Sequence, residues 1–166
     1  MHQSLIVDST RLPIPGRPSG VETGLVRWHE AVARIEDSGL ARFLESVAVA
    51  PSGLTLLSSV FGNSPFLSQC LLVEPAFVRA VLETGPEDAA AEAIAGLDGL
   101  AREPAEDAID TTAIGQALRV ARRRVALAVA IGDIAASWSV EQVTATLSAF
   151  ADNAIRAATR HLLARA

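Results

Sequence analysis

Residues 118–152, LRVARRRVALAVAIGDIAASWSVEQVTATLSAFAD, constrain the fold of this chain more than any other stretch. They read as two long helices meeting at a short corner. Thr111 or Thr112 is placed to cap the first helix, which is expected to run to Trp138. Ile114, Leu118, Ala121, Val125 and Ala128 recur at helical spacing along it. After Arg124 a second face turns apolar with Leu127, Ile131 and Ile134, and a helix apolar on both sides belongs in the middle of a bundle. Ser139 with Gln142 three residues on is a capping-box signature for the second helix. There Val140, Val143, Leu147, Phe150, Ala154, Ala158 and Leu162 form the expected core face, with Thr144, Ser148, Asp152, Arg156 and Arg160 facing away.

The remainder is punctuated by proline and glycine. Residues 1–20 carry Pro13, Pro15, Gly16, Pro18 and Gly20 and are expected to be an extended tail or surface strap, followed by a single helical domain over 21–166. Helices are expected over 21–37, ended by Ser38-Gly39, over 40–49, and over 52–61, ended by a left-handed cap at Gly62-Asn63. Ser64 with Pro65 opens the next, 65–73. Another spans 76–83 before Gly85, and an Ala-rich one runs from Pro86 to Arg102, then an acidic loop over 103–110. Strand signals are nearly absent. The expected class is therefore all-α, a bundle of six to eight helices, several of them short.

Composition removes several functions. Half of the 166 residues are hydrophobic, which with this length suffices for one domain with a core. The formal net charge is −5, although all 14 cations are arginine, so no nucleic-acid partner is expected. No apolar run approaches the ~20 residues needed to cross a bilayer, and the start of the chain lacks the pattern of a secretory signal, so neither membrane nor export is expected and the cytoplasm is. The one cysteine, Cys70, lies in FLSQCLL and reads as a buried structural thiol.

Charges that might carry chemistry are few. On a helical projection Arg119, Arg122 and Arg123 share roughly a quarter of the circumference. They form either a solvated face or a contact surface for a neighbouring domain or partner. Arg124 points instead toward Val120, Leu127 and Ile131 and needs an acidic partner or a path to water. Asp133, in AVAIGDIAA, reads as a buried structural charge bridged to another helix. It lies about 15 Å along the helix from Arg119 and Arg122, out of their reach. His2, His29 and His161 lack metal-ligand spacing, and Asp107 and Asp110 lack a calcium-loop pattern. Ser58 and Ser59 lack a nucleophile elbow, and the glycines form no phosphate loop. No catalytic, cofactor-binding or metal residue is assigned.

The order Arg119, Arg122, Arg124, Asp133, Glu141, Leu147, Ser148, Phe150, Asp152 resembles the N-terminal helical region of the bifunctional glutamine synthetase adenylyltransferase/adenylyl-removing family. FGNSPFLSQCLLVEPAFVRAVLE, residues 61–83, resembles an earlier signature of the same family, and the similarity spans roughly 44–166. The resemblance implies a parent enzyme that adds AMP from ATP, with Mg²⁺, to a tyrosine of glutamine synthetase and removes it by phosphorolysis, under control of a PII-type signal protein. It implies a nucleotidyltransferase fold downstream, with a glycine-containing helix start and D-x-D aspartates that hold Mg²⁺. Nothing in this chain matches those residues, so the chain is expected to be the non-catalytic N-terminal part, packed on the first, AMP-removing nucleotidyltransferase domain. The alternative is a stand-alone helical interaction module with the arginine cluster as its partner surface.

Overall fold

The structure, a computed structural model, describes residues 12–100 and 111–163, except the side chains of 98–100. Among them are eight helices: α1 (Pro18–Val32), α2 (Ser38–Val49), α3 (Pro51–Asn63), α4 (Pro65–Val73), α5 (Pro75–Thr84), α6 (Pro86–Leu100), α7 (Thr111–Ile134) and α8 (Val140–Leu163). The all-α expectation holds. The expected acidic loop over 103–110, with Asp107 and Asp110, lies outside the described residues.

Proline sets most helix starts. It occupies the first or second position of α1, α3, α4 and α5, where its missing N–H would be unpaired anyway. For this reason α1 begins at Pro18, earlier than the expected Val21. Ser38 does not end α1. It begins α2, because the Asp37 carboxylate accepts from Gly39 N at 2.8 Å and Leu40 N at 3.1 Å. At α4 the Ser64 hydroxyl accepts from Leu67 N at 3.2 Å, and Gly85, at φ 96°, closes α5. Successive helices turn sharply: α2 and α3 meet at 86°, α4 and α5 at 95°.

The Gly62-Asn63 cap is not formed. Both residues belong to α3, whose C-cap Ser64 is extended. Asn63 serves another purpose. Its Oδ1 accepts from Gly16 N at 2.9 Å, and its Nδ2 donates to Ile14 O at 3.1 Å. Arg17 N donates to Gly62 O at 3.1 Å. The proline-rich stretch is thus strapped over the end of α3, and Leu12 at its start is buried.

A single core runs through the bundle, built on Trp28, Leu44, Leu57, Phe61, Leu71, Val81, Leu127 and Ile131. α1 lies against α3, with Gly24 facing the Phe61 ring and Trp28 edge-on to it, centroids 6.5 Å apart. α7 is central, touching α4, α6 and α8. It ends at Ile134 rather than the expected Trp138. Ser137 N donates to Gly132 O at 3.0 Å and Ala136 N to Asp133 O at 2.9 Å, a Schellman closure with Ala136 in the left-handed region at φ 51°. Trp138 then folds back onto Gly132. The capping box at the start of α8 is formed: Ser139 N donates to Gln142 Oε1 at 2.9 Å, and Gln142 N to Ser139 Oγ at 3.3 Å. No single described helix is long and apolar enough to cross a membrane.

Candidate functional site

The charged centre of the molecule is Glu74, in the one-residue corner between α4 and α5. Pro75 disfavours helical geometry at Glu74, so the chain turns there, and the carboxylate meets the middle of α7. Glu74 is only 6% exposed. Its Oε1 accepts from Arg123 Nε at 3.0 Å and Nη2 at 2.7 Å, and its Oε2 from Arg124 Nε at 2.9 Å. A buried carboxylate requires such partners. One carboxylate serving two guanidiniums also leaves the cluster with excess positive charge. The Arg124 guanidinium lies 5.6 Å from the Phe77 ring centre, which shields its inner side.

The expected arginine trio is divided by this arrangement. Arg123 does not belong to an exposed face with Arg119 and Arg122. It is committed to Glu74, because an arginine stem is long enough for residues 100° apart on a helix to converge on one acceptor. Arg119 is exposed, bent back along α7 toward Gly115. Arg122 is exposed and lies over the Phe66 ring of α4, 5.3 Å from its centre. Neither has a carboxylate within ion-pair distance among the described residues.

Asp133 is exposed and is not the buried structural acid expected from its apolar flanks. Its position near the end of α7, where the helix stops one residue later, turns it to solvent. Among the described residues the buried acid is Glu74, which no helical periodicity singles out. Its signal was present: a lone carboxylate in the apolar run LLVEPAF, and in Arg124 a cation in need of a partner.

Other polar groups are local. Burial pushes the Cys70 thiol pKa up, opposed by the nearby Arg123 and reinforced by Glu74. His161 Nε2 lies 3.1 Å from Thr111 Oγ1 and ties the end of α8 to the start of α7. His29 is exposed on α1. Ser59 is buried and Ser58 half-buried within α3. No group of three or more His, Cys, Asp or Glu side chains suited to a metal occurs among the described residues.

α8 departs most from expectation. Val143, Phe150, Ala154 and Ala158 are half-buried, but Val140, Leu147 and Leu162 of the expected core face are exposed, as is Ile155. Only Ala157 is fully buried on this 24-residue helix. Amphipathic periodicity identified the apolar side of α8, and α6 and α7 cover just part of it.

The chain is similar to proteins of known activity. A model of the glutamate-ammonia ligase adenylyltransferase family matches residues 54–166. The bifunctional glutamine synthetase adenylyltransferase/adenylyl-removing enzyme of Bradyrhizobium diazoefficiens is 31% identical over 137 residues, which are 82% of this chain and 13% of that enzyme. The enzyme of the same description from Xanthobacter autotrophicus is 28% identical over 160 residues, 96% of this chain and 15% of that enzyme. The chain therefore spans about one seventh of the length of these relatives. No solved structure matches. The matched region contains the Glu74 corner, both arginines it holds, and α8, and over it the chain belongs to the glutamate-ammonia ligase adenylyltransferase family.

Proposed function

We propose that this chain is a non-catalytic helical platform of an enzyme that adenylylates glutamine synthetase and removes the adenylyl group. A neighbouring nucleotidyltransferase domain of the same polypeptide packs on it, and the chemistry resides there with ATP and Mg²⁺. The cytoplasm and control by a PII-type signal protein follow from the same reading.

The observation that carries the platform role is α8. Val140, Leu147, Ile155 and Leu162 are 71%, 44%, 66% and 63% exposed. They fall within roughly a quarter of the helix circumference, as a stripe along its whole length. On a helix of this length with one buried residue, this part of the apolar side has no cover among the described residues. The matched relatives are far longer than the segment they share with this chain, which supports a cover supplied by further chain.

The purified chain is expected to release no AMP from adenylylated glutamine synthetase with Mg²⁺ and phosphate. Detectable turnover would refute the assignment. In the full-length enzyme, Leu147→Glu with Ile155→Glu should lower kcat through loss of domain packing. An unchanged kcat would count against α8 as the seam.

A further inference from the structure

We infer that the outer face of α4, with the arginines on either side of it, is a docking surface for an acidic segment of the enzyme's protein substrate; this rests on the function proposed above. Phe66, Gln69 and Val73 follow one another at helical spacing on that face, and Phe66 and Val73 are each 43% exposed. Arg122 of α7 lies over Phe66 on one side. On the other, Arg27 of α1 donates to Gln69 Oε1 at 3.1 Å. Three helices thus bring two guanidiniums to one exposed strip of α4, with Phe66 and Val73 at its ends and Gln69 between them, and Arg119 extends the positive edge by one turn of α7.

Three points distinguish this surface from an ordinary solvated face. First, the chain is acidic overall, at −5, so a positive surface is not a consequence of composition. Second, the ion pairs among the described residues use Arg34, Arg79, Arg123 and Arg124. Among the described residues Arg27, Arg119 and Arg122 have no carboxylate within ion-pair distance, and the Glu74 cluster adds to the positive field. Third, arginine beside a partly exposed aromatic ring is the composition of interface hot spots. A cleft of about 310 Å³ between α1 and α4, lined by Arg17, Thr23, Arg27 and Ser68 among others, adjoins the face.

The complementary partner carries carboxylates, which pair with guanidinium through two parallel hydrogen bonds, flanking apolar side chains that cover Phe66 and Val73. An extended protein segment fits this geometry, because the face is open and crosses three helices. Nucleic acid would be repelled by the chain as a whole. Of the protein partners, the substrate is favoured by the relatives, whose names give glutamine synthetase as the protein acted on.

The test is steady-state release of AMP by the full-length enzyme, titrated with adenylylated glutamine synthetase at about 50 mM and about 300 mM salt. Arg119→Glu with Arg122→Glu should raise KM for glutamine synthetase about tenfold at low salt, with kcat nearly unchanged, and the effect should shrink at high salt. Phe66→Ala should raise KM without that salt dependence. Arg34→Glu with Arg160→Glu, an equal charge change elsewhere, should leave KM unchanged. If the reversed pair misfolds by circular dichroism, Arg119→Gln with Arg122→Gln gives the same reading. An unchanged KM in folded variants overturns the proposal. So does a loss of kcat at constant KM, which would place the face against the enzyme's own catalytic domain. The platform reading is judged separately, by the inactivity of the isolated chain and by the α8 variants.

Discussion

Arg124 Nε stands 2.9 Å from Glu74 Oε2, and this contact joins the corner between α4 and α5 to the middle of the central helix. The residues are 50 apart in sequence, so the contact fixes a long-range arrangement rather than a local one. Glu74 is buried, while Arg123 and Arg124 keep 31% and 41% of their side-chain surface in water. The cost of desolvation therefore falls mainly on the acid, and the arginine stems reach inward to meet it.

Replacing Glu74 with Gln should destabilise the chain by about 2–3 kcal/mol in chemical denaturation. That is below the usual cost of breaking a fully buried pair, because the stranded arginines can turn to solvent. Arg123→Gln and Arg124→Gln should each cost less, since Glu74 keeps the other partner. The double variant should exceed the sum of the two by about 1 kcal/mol, because only then is the carboxylate left unpaired. Strict additivity would show that the two contacts are independent and that Glu74 is not the hub.

Much of the framework was legible because it depends on local chemistry. Proline at helix starts, Ser64 and Ser139 as caps and Gly85 as a stop act within a few residues of themselves. The features that were missed depend on groups far apart in the chain. No helical projection of 118–134 reveals that Glu74 will face it, so Arg123 was grouped with Arg119 and Arg122. Apolar flanks made Asp133 look buried, yet the end of α7 turns it to water. Periodicity showed that α8 has an apolar side, but which part of that side is covered is a property of α6 and α7. Asp37 was assigned to the preceding helix because its capping function requires the turn to be known.

Asp37 makes the start of α2 sensitive to acid. The backbone amides of Leu40 and Gly39 hold its pKa below the ordinary value of 3.8. A lowered folded-state pKa means stability that is present above the unfolded value and is lost as pH falls through the folded one. Asp37→Ala should therefore lower Tm at about pH 7, and the gap to wild type should narrow by about pH 2.5. Asp37→Asn, which keeps an accepting oxygen without a titrating charge, should follow wild type more closely at neutral pH than Asp37→Ala does. A gap between wild type and Asp37→Ala that stays constant across this range would show that the charge is not what caps the helix.

Ala136 sits where helices usually place glycine. At φ 51° it occupies the left-handed position of the Schellman closure between α7 and α8, and it is exposed, so its methyl group makes little packing there. A side chain in that region costs about 1–2 kcal/mol, part of which glycine returns as entropy of the unfolded chain. Ala136→Gly should therefore raise stability by about 0.5–1 kcal/mol, and Ala136→Val should lower it by more. A lower Tm for the glycine variant would mean that the turn is held by something other than backbone preference.

Gly24 sets the approach of α1 to α3. A Cβ there would overlap the Phe61 ring, which is 2% exposed and packs edge-on against Trp28, one turn along α1. Neither ring can retreat without leaving the core, so Gly24→Ala should cost about 1–3 kcal/mol by overpacking. Phe61→Leu alone should also destabilise, through lost ring contact and the space left behind. The two together should cost less than their sum, because the smaller side chain makes room for the new methyl group. Simple additivity in denaturant titrations would show that α1 yields elsewhere. Since Arg27 is carried one turn along the same helix, Gly24→Ala should also weaken its contact with Gln69 in the folded protein. A rise in KM for glutamine synthetase that Phe61→Leu reverses would connect this packing contact to the docking face.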